Sequence, residues 1–339
     1  MVARLLDLYR KGRNLLRRRG FLCLAAVTVA AISGGCGHVK TTHTLAASQK
    51  VVVKDATREE LIEKYNAQAQ GVQSVNATVQ FRATTGSQYS GVIEDYHEVK
   101  AFVLAARPAY IRVIGQAPVI GKTIFDMASD GDTFHVSIPS KNKFLVGPVA
   151  VERSSTKPIE NLRPQHLLDA ILWSEIRKPE TVLFEEYNDE EARYYILTVV
   201  RGGYQTEILR KVWFNRADLQ VSRLEEFGPK GALLSDIRYS DWEPVGAEQE
   251  QAAPSADGSP SHASPAAANG PQTAAVAQGN GPNFPRTIRI NRPHDDYTLD
   301  LQITKLSLNE PLPPDRFKLE QPPGSELVRV GEESGDKPK

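Results

Sequence analysis

Hydrophobic and polar positions change period near residue 72, where a helical pattern gives way to alternation. Thr57 and Glu60 have the spacing of a capping box at a helix start, and Gly71 is a suitable stop. The apolar face of this predicted helix consists of Leu61, Ile62, Tyr65 and Ala69. From Val72 onward the period is two, which indicates strands with one buried and one solvated face.

Short alternating segments separated by turn residues continue to the end of the chain. A second helix is predicted over 164–176, because Pro164 suits a first turn and an apolar stripe follows, formed by Leu167, Leu168, Ile171 and Leu172. Before it, strands are predicted at 75–83, 92–104, 109–115, 122–129, 132–138 and 142–147. After it, they are predicted at 181–187, 193–200, 206–214, 218–227, 232–242 and twice within 285–304. The spacing favours an all-β domain.

Residues 246–282 interrupt this pattern. Of these 37 residues, 25 are Ala, Gly, Ser or Pro and none is aromatic, so burial cannot offset the entropy of ordering them. The alternation in 285–304 continues the preceding sheet, which predicts a disordered insertion in a hairpin rather than a linker between domains. One domain is therefore expected over 57–330, followed by a disordered tail at 331–339.

The N-terminus predicts export and lipid anchoring. Seven basic residues and one acid lie before position 21, and residues 21–35 carry no charge, as in a secretory signal peptide. Fifteen residues are fewer than the roughly 20 of a spanning helix, although a short membrane anchor is the alternative. Residues 32–36, Ile-Ser-Gly-Gly-Cys, resemble the bacterial lipobox, which implies cleavage after residue 35, lipidation of Cys36 and a tether over 36–56. Arg18-Arg19 also resembles a twin-arginine signal, so both export routes stay open.

Charge and cysteine content narrow the function classes. Without residues 1–35 the chain keeps 34 basic and 40 acidic residues, a balance that argues against nucleic-acid binding. Cys23 lies in the signal, so the mature chain has one cysteine and no internal disulfide. The seven histidines are scattered without metal-ligand spacing.

Catalytic motifs are not found. Gly121-Lys122-Thr123 suggests a P-loop, but Gln116 occupies the position of the first glycine, and a strand rather than a helix follows. Adjacent acids such as Glu94-Asp95 point to opposite faces of a strand, and there is no Gly-x-Ser-x-Gly. No enzyme activity, metal or cofactor is therefore predicted.

Three motifs in a fixed order carry a resemblance to a known family. They are Arg107-Pro108 before an Arg-bearing strand, the apolar loop Pro118-Val119-Ile120-Gly121, and the Asp130-Gly131 turn. In an exported chain, together with the two helices and the closing residues 308–317, they resemble the lipoprotein-localisation (LolA/LolB) carrier and receptor superfamily. The resemblance extends over about 57–245 and 284–330.

The resemblance implies a mainly β fold, in which a single curved antiparallel sheet forms an incomplete, half-open β-barrel covered by helices. It implies an apolar cavity for the acyl chains of lipoproteins or other lipids, an outer-membrane lipoprotein facing the periplasm, and a periplasmic carrier protein as a candidate partner. A bound 16-carbon chain would gain on the order of 10 kcal/mol over water. The residues expected to line the cavity are Ile111, Val113, Phe125, Met127, Phe134, Val136, Leu168, Leu172 and Trp173.

Two questions stay open at the level of sequence. The concave face is either a cavity or a core filled by side chains such as Phe125 and Trp173. Val119 and Ile120 either fold into the core or project from the loop to touch a membrane or a lipidated partner. The alternative to a lipid receptor or carrier is an envelope structural or signalling lipoprotein that uses the same fold to sense lipid or bind a protein.

Overall fold

The computed structural model describes residues 52–87, 92–118, 120–150, 161–188, 192–203, 206–246 and 282–330. Cys36, Val119, the signal peptide, most of the predicted insertion and the C-terminal tail lie outside these residues. The described part is mainly β, as predicted, with strands that form one large curved sheet and two helices that lie against it.

The first helix, α1 (Arg58–Gly71), begins at the predicted capping box. The Thr57 side chain accepts from the Glu60 amide, and the Glu60 carboxylate accepts from the Thr57 amide at 2.7 Å. Leu61, Tyr65 and Ala69 are buried as expected. The second helix, α2 (Pro164–Ile171), starts at the predicted proline, and its apolar stripe is buried.

The strands follow the predicted positions closely, with bounds that differ by a few residues at most ends. In chain order they are β1 (Ser74–Ser87), β2 (Val92–Asp95), β3 (Val99–Ala106), β4 (Tyr110–Gln116), β5 (Thr123–Ser129), β6 (Thr133–Ile138), β7 (Lys143–Pro148), β8 (Thr181–Asn188), β9 (Arg193–Arg201), β10 (Glu207–Asn215), β11 (Val221–Phe227), β12 (Leu233–Pro244), β13 (Asn283–Arg292), β14 (Tyr297–Leu308) and β15 (Glu326–Arg329). Among the described residues, three short 3-10 segments lie in the connections: Pro139–Lys141, Pro229–Gly231 and Pro314–Phe317.

The order of strands across the sheet is β15-β7-β6-β5-β4-β3-β1-β14-β13-β12-β11-β10-β9-β8, with β2 paired to β1 beside β3. All pairs are antiparallel except β15 with β7, which are parallel. The sheet is therefore mixed rather than purely antiparallel, and it does not close into a barrel. Its two halves meet where β1 pairs with β14.

The concave face holds the core. Along β14 the alternate residues Tyr297, Leu299, Leu301 and Ile303 are buried, which confirms the predicted alternation. An aromatic cluster lies under the helices, where Trp173 packs on Tyr65, Tyr239 and Trp242 with ring centroids 5.2, 5.3 and 6.2 Å away. This cluster fills the middle of the curved sheet.

The prediction of one strand over 92–104 is wrong in its middle. Residues 96–98 are not paired with β1. Between the pairs Asp95–Thr84 and Val99–Phe81, three residues on this strand lie opposite only two on β1, Arg82 and Ala83. The extra residue makes a bulge, and only the Tyr96 amide keeps a bond to β1, with the Ala83 carbonyl at 2.9 Å. The single predicted strand is therefore β2 followed by β3.

The predicted helix over 164–176 ends earlier than expected, at Ile171. Beyond it, the backbone groups bond to other elements: the Trp173 carbonyl accepts from Arg107 at 2.8 Å, and the Ile176 amide and carbonyl bond to the Asn66 side chain of α1 at 2.8 and 3.0 Å. These partners replace the intrahelical bonds, so the chain runs extended over the end of α1.

The segment after β14 crosses the outer face of the sheet and was not predicted to form a strand. Phe317 packs on Tyr110 with ring centroids 5.4 Å apart, and Arg112 donates to the Arg316 carbonyl at 3.1 Å. The segment ends as β15 along the edge strand β7. β15 thus covers one edge of the sheet. Its four residues show too little alternation to be predicted as a strand from the sequence.

The strands on either side of the predicted insertion are paired with each other. β12 and β13 run together to Pro244 and Asn283, and the Val245 amide donates to the Pro282 carbonyl at 3.0 Å. The connection therefore leaves and rejoins the same hairpin.

Candidate functional site: an apolar cavity at one end of the sheet

Antiparallel order brings several connections to the same end of the sheet. The end of β1 and the starts of β3, β5 and β14 meet there. The β4–β5 loop (residues 117–122) and the β6–β7 turn (139–142) lie at the same end. We call this the mouth end. The opposite end carries Arg107 and the Asp130-Gly131 turn.

A cavity of about 340 Å³ lies on the concave face at the mouth end. Its volume is at the lower end of the range for small-molecule pockets. Apolar side chains from both halves of the sheet form most of its wall, namely Phe81, Ala83, Val99, Ile124, Phe125, Val136, Ile138, Leu162, Tyr297 and Leu299. The remaining lining residues are Thr85, Tyr96, His97, Ser140 and Lys141.

The wall of the cavity depends on one glycine. The rings of Phe81 and Phe125 pack with centroids 5.6 Å apart, and Phe125 lies opposite Gly115 on β4. A Cβ on residue 115 would overlap the Phe125 ring. Glycine at this position therefore leaves room for the Phe125 ring over β4.

Polar groups gather where the cavity opens. Tyr96, His97, Ser140 and Lys141 belong to the β1–β3 connection and the β6–β7 turn. The Tyr96 hydroxyl donates to Glu94 at 3.1 Å. Partial burial raises the pKa of Tyr96, and this hydrogen bond raises it further, so the hydroxyl keeps its proton at neutral pH. An apolar wall with a polar rim suits an amphiphile with its chain inside.

Exposed apolar side chains lie at the same end. Ile120 in the β4–β5 loop is 74% exposed, Ile93 on β2 is 60% exposed, and Tyr96 is also exposed. The loop is held by backbone bonds from Ala117 to the Lys122 carbonyl at 2.9 Å and from Gly121 to the Ala117 carbonyl at 3.1 Å. Ile120 therefore does not fold into the core, and its contact with a membrane or a lipidated partner stays a prediction. Pro118 is exposed as well.

A buried polar pair lies directly behind the cavity wall. The His166 Nδ1 is hydrogen-bonded to the hydroxyl of Tyr297, whose ring lines the cavity. Burial, with smaller contributions from the charges of Arg292 and Arg163, holds the pKa of His166 well below its usual value. His166 is therefore neutral at physiological pH. Arg292 is itself paired with Asp295 at 2.8 Å.

The nine residues predicted to line a cavity are divided by the structure. Phe125 and Val136 line it. The other seven are packed in the core without bordering this space: Ile111, Val113, Met127, Phe134, Leu168, Leu172 and Trp173. The cavity thus lies nearer the mouth end than the predicted set, whose other seven members belong to the buried core.

Several cavity residues were not singled out from the sequence, among them Phe81, Val99, Ile138 and Leu299. Their alternation on β1, β3, β6 and β14 marks them as inward-facing. However, alternation does not distinguish an inward residue that meets a helix from one that borders an empty space.

The Arg107-Pro108 motif has a structural position away from the cavity. The Arg107 guanidinium donates to the carbonyls of Ala69, Val72 and Trp173 at 2.8, 3.1 and 2.8 Å. It thus satisfies the carbonyls at the C-terminal end of α1 and joins them to the segment after α2. Pro108 follows in the turn that leads to β4.

A wider groove of about 1230 Å³ lies along β12, β13 and β14. It is open, and charged or polar side chains such as Asp241, Glu243 and Arg286 contribute much of its lining. Burying an acyl chain there would desolvate these groups at a cost, so the smaller apolar cavity is the better candidate site.

The described residues contain neither a metal-ligand cluster nor a membrane-spanning helix. No group of three or more His, Cys, Asp or Glu side chains in this part of the chain is placed to hold a metal ion. Among the same residues, no helix combines the length and apolar character needed to cross a membrane.

No protein-family model and no curated protein matches the chain. Among solved structures it is similar to a LolA superfamily protein from Nitrosomonas europaea, with 14% identity, a TM-score of 0.43, and coverage of 78% of this chain and 99% of the other. A domain named for outer-membrane lipoprotein sorting from Vibrio parahaemolyticus has 11% identity, a TM-score of 0.42 and coverage of 76% and 94%. A DUF1329 family protein from Desulfovibrio piger has 13% identity, with the same TM-score and coverage.

Proposed function

We propose that this protein is a lipid-anchored envelope protein that takes the acyl chain of a lipoprotein or another lipid into the cavity at the mouth end. The observation that carries the proposal is the position of the cavity. An apolar space and the exposed Ile120 lie at one end of the same sheet. A lipid chain leaving a membrane or a carrier at this end would pass from one apolar surface to the other.

The size of the cavity limits the cargo. A space of about 340 Å³ suits one acyl chain better than the several chains of a mature lipoprotein. Each CH₂ group moved from water into the cavity contributes about 0.8 kcal/mol, so no polar recognition is needed for binding. A lipoprotein with more chains would insert one and keep the others against the apolar rim.

Anchoring at Cys36 completes the proposal. Two acyl chains on one cysteine hold a protein on a membrane durably, and the predicted tether over 36–56 would join that anchor to α1. The protein would then act as a receptor on the periplasmic face of the outer membrane, supplied by a periplasmic carrier protein.

A bulky residue in the cavity tests the proposal. Ala83 lines the cavity, whereas its neighbour Thr84 belongs to the other face of β1 and bonds to Asp95 at 2.7 Å. We expect Ala83→Phe to fill the space and remove co-purifying lipid, while Thr84→Phe keeps it. Native mass spectrometry of the exported chain carrying Cys36→Ser measures the bound lipid directly.

Lipid that stays bound in Ala83→Phe would contradict the cavity as the binding site. If neither variant nor the parent chain carries lipid but all capture a common envelope protein, the structural or signalling alternative is favoured instead.

A further inference from the structure

The two outermost strands of the sheet are protected to very different degrees. At one side, β7 is covered by β15, a strand of four residues that begins with Glu326 and ends with Arg329. At the other side, β8 has eight residues and, within the described part of the chain, pairs only with β9. Short charged edge strands discourage further pairing. β8 has the length and regular register to accept another strand.

Large apolar side chains are exposed on both faces of β8. Phe184 is 41% exposed on the concave side, where it packs on Tyr195 with ring centroids 5.2 Å apart. Leu183 and Tyr187 are 52% and 46% exposed on the outer side. The strand contains no proline or lysine, the residues that usually protect an exposed edge.

The outer side continues into a fixed aromatic patch. Tyr187, Tyr194 and Trp213 meet with ring centroids 5.7 to 6.4 Å apart. Trp213 donates from Nε1 to Glu225 at 2.7 Å, and Arg223 lies over its ring at 5.3 Å. Tyr, Trp and Arg are the residue types that contribute most at protein interfaces, and a small cleft of about 250 Å³ lies between them.

Charge selects the kind of strand that β8 can accept. Glu185 and Glu186 are exposed and adjacent, so one carboxylate lies on each face of the strand. Thr198 donates to Glu185 at 2.8 Å and Arg216 pairs with Glu186, which leaves further acceptor positions on both carboxylates. Pairing of two β8 strands would bring the acidic residues of both copies together in the middle of the new pair, which is unfavourable.

From these observations we propose that β8 binds an extended segment of another protein that adds to the sheet as a further strand and carries alternating apolar and basic side chains. Main-chain bonds to the free edge would supply affinity, as in other cases of strand addition. Leu183, Tyr187 and the aromatic patch would select the apolar side chains on the outer face, and Glu186 would select Lys or Arg on the concave face. This surface is separate from the cavity, so the inference does not depend on lipid binding.

A labelled peptide of eight alternating lysine and valine residues is a suitable probe for the full-length protein. We expect it to bind and to slow amide hydrogen exchange in residues 181–188. Replacing its lysines by glutamate, or a central valine by proline, should weaken binding at least tenfold. Leu183→Lys should weaken it similarly, because lysine protects a strand edge. Leu327→Lys on β15 is the matched control, since Leu327 is a leucine of similar exposure on the opposite edge, and it should bind the peptide normally.

Three results would overturn the proposal. The first is peptide binding that is unchanged in Leu183→Lys or that protects amides outside 181–188. The second is a protein dimer that Leu183→Lys dissociates, because the occupant would then be a second copy. The third is an absence of peptide binding combined with vesicle binding that Leu183→Lys abolishes, which would identify the surface as a membrane contact.

Discussion

The ring of Phe125 lies directly against Gly115, its cross-strand partner, in a space that no other residue type leaves free. This contact places an aromatic wall beside the cavity. A methyl group on residue 115 would push the ring away from β4 and toward the space in front of it. The pair therefore links the stability of the sheet to the volume available for a ligand.

Gly115→Ala is expected to lower the free energy of unfolding by about 1–3 kcal/mol, the usual range for an overpacked core position, and to reduce bound lipid. Denaturant unfolding and native mass spectrometry measure the two effects. Gly202→Ala is the control, because nothing lies within 4 Å of a Cβ there, and its stability should change by less than about 0.5 kcal/mol. Full stability of Gly115→Ala would show that the ring moves without cost.

Arg107→Met should lower the free energy of unfolding by about 3 kcal/mol, because three carbonyl groups lose a charged donor. Arg107→Lys should recover part of this loss with one ammonium group. Arg58→Met removes an exposed arginine whose partner Glu59 is also exposed, and it should leave stability nearly unchanged. Equal melting temperatures for the Arg107 and Arg58 variants would contradict the role assigned to Arg107.

Ile120→Asp should leave folding intact and reduce association with lipid vesicles or lipidated partners. The side chain is largely exposed, so an added charge stays in water, and the free energy of unfolding should change by less than about 0.5 kcal/mol. Vesicle flotation measures the association. Lys122→Gln, in the same loop, is a control for charge alone, because it changes the net charge by the same −1. Unchanged association of Ile120→Asp would exclude a membrane role for the loop, and a large loss of stability would indicate burial.

Because of His166, the protein should be less stable in mild acid than at neutral pH. Because burial holds its folded pKa well below that of the unfolded chain, unfolding takes up a proton as the pH falls below about 6.5. The free energy of unfolding should then fall by up to about 1.4 kcal/mol per pH unit until the folded pKa is reached. Above pH 6.5 this loss should be absent.

His166→Gln should remove this slope from urea unfolding measured between pH 7 and pH 5. His294→Gln, at an exposed turn, should keep it. A slope that persists in His166→Gln would mean that another group takes up the proton.

Cys36→Ser should abolish fatty-acyl labelling and release the protein from membranes. The expectation rests on the lipobox-like residues 32–36 and on the durable anchoring that two acyl chains give. Palmitate labelling with membrane fractionation measures both effects, and Cys23→Ser is the matched control. If Cys36→Ser stays in the membrane fraction, residues 21–35 act as the anchor.

Local patterns in the sequence were sufficient for most of the fold. Alternation located the strands within a few residues, and the Thr57–Glu60 spacing located the start of α1. Patterns of this kind did not reveal β15, because four residues carry too little period, nor the early end of α2, which depends on Asn66 and Arg107 from distant parts of the chain.

The candidate site was harder to predict than the fold. Phe125 and Trp173 are both aromatic residues of the concave side, yet one borders a cavity and the other fills the core. The difference arises from what lies opposite. Trp173 meets Tyr65 of α1, whereas Phe125 meets Phe81 of β1 and borders the cavity. No residue pattern within a single strand records this difference.

The seam between β1 and β14 also determines how the protein folds. Gln73 and Asn309, which bond at this seam, are 236 residues apart, whereas most other neighbouring strands are consecutive hairpins. Synthesis proceeds from the N-terminus, and hairpins form quickly because their contacts are local. One edge of β1 therefore stays unpaired until β14 has been synthesised. During that interval the unpaired edge of β1 can pair with other chains, so the late seam is a point at which the folding protein is exposed to aggregation.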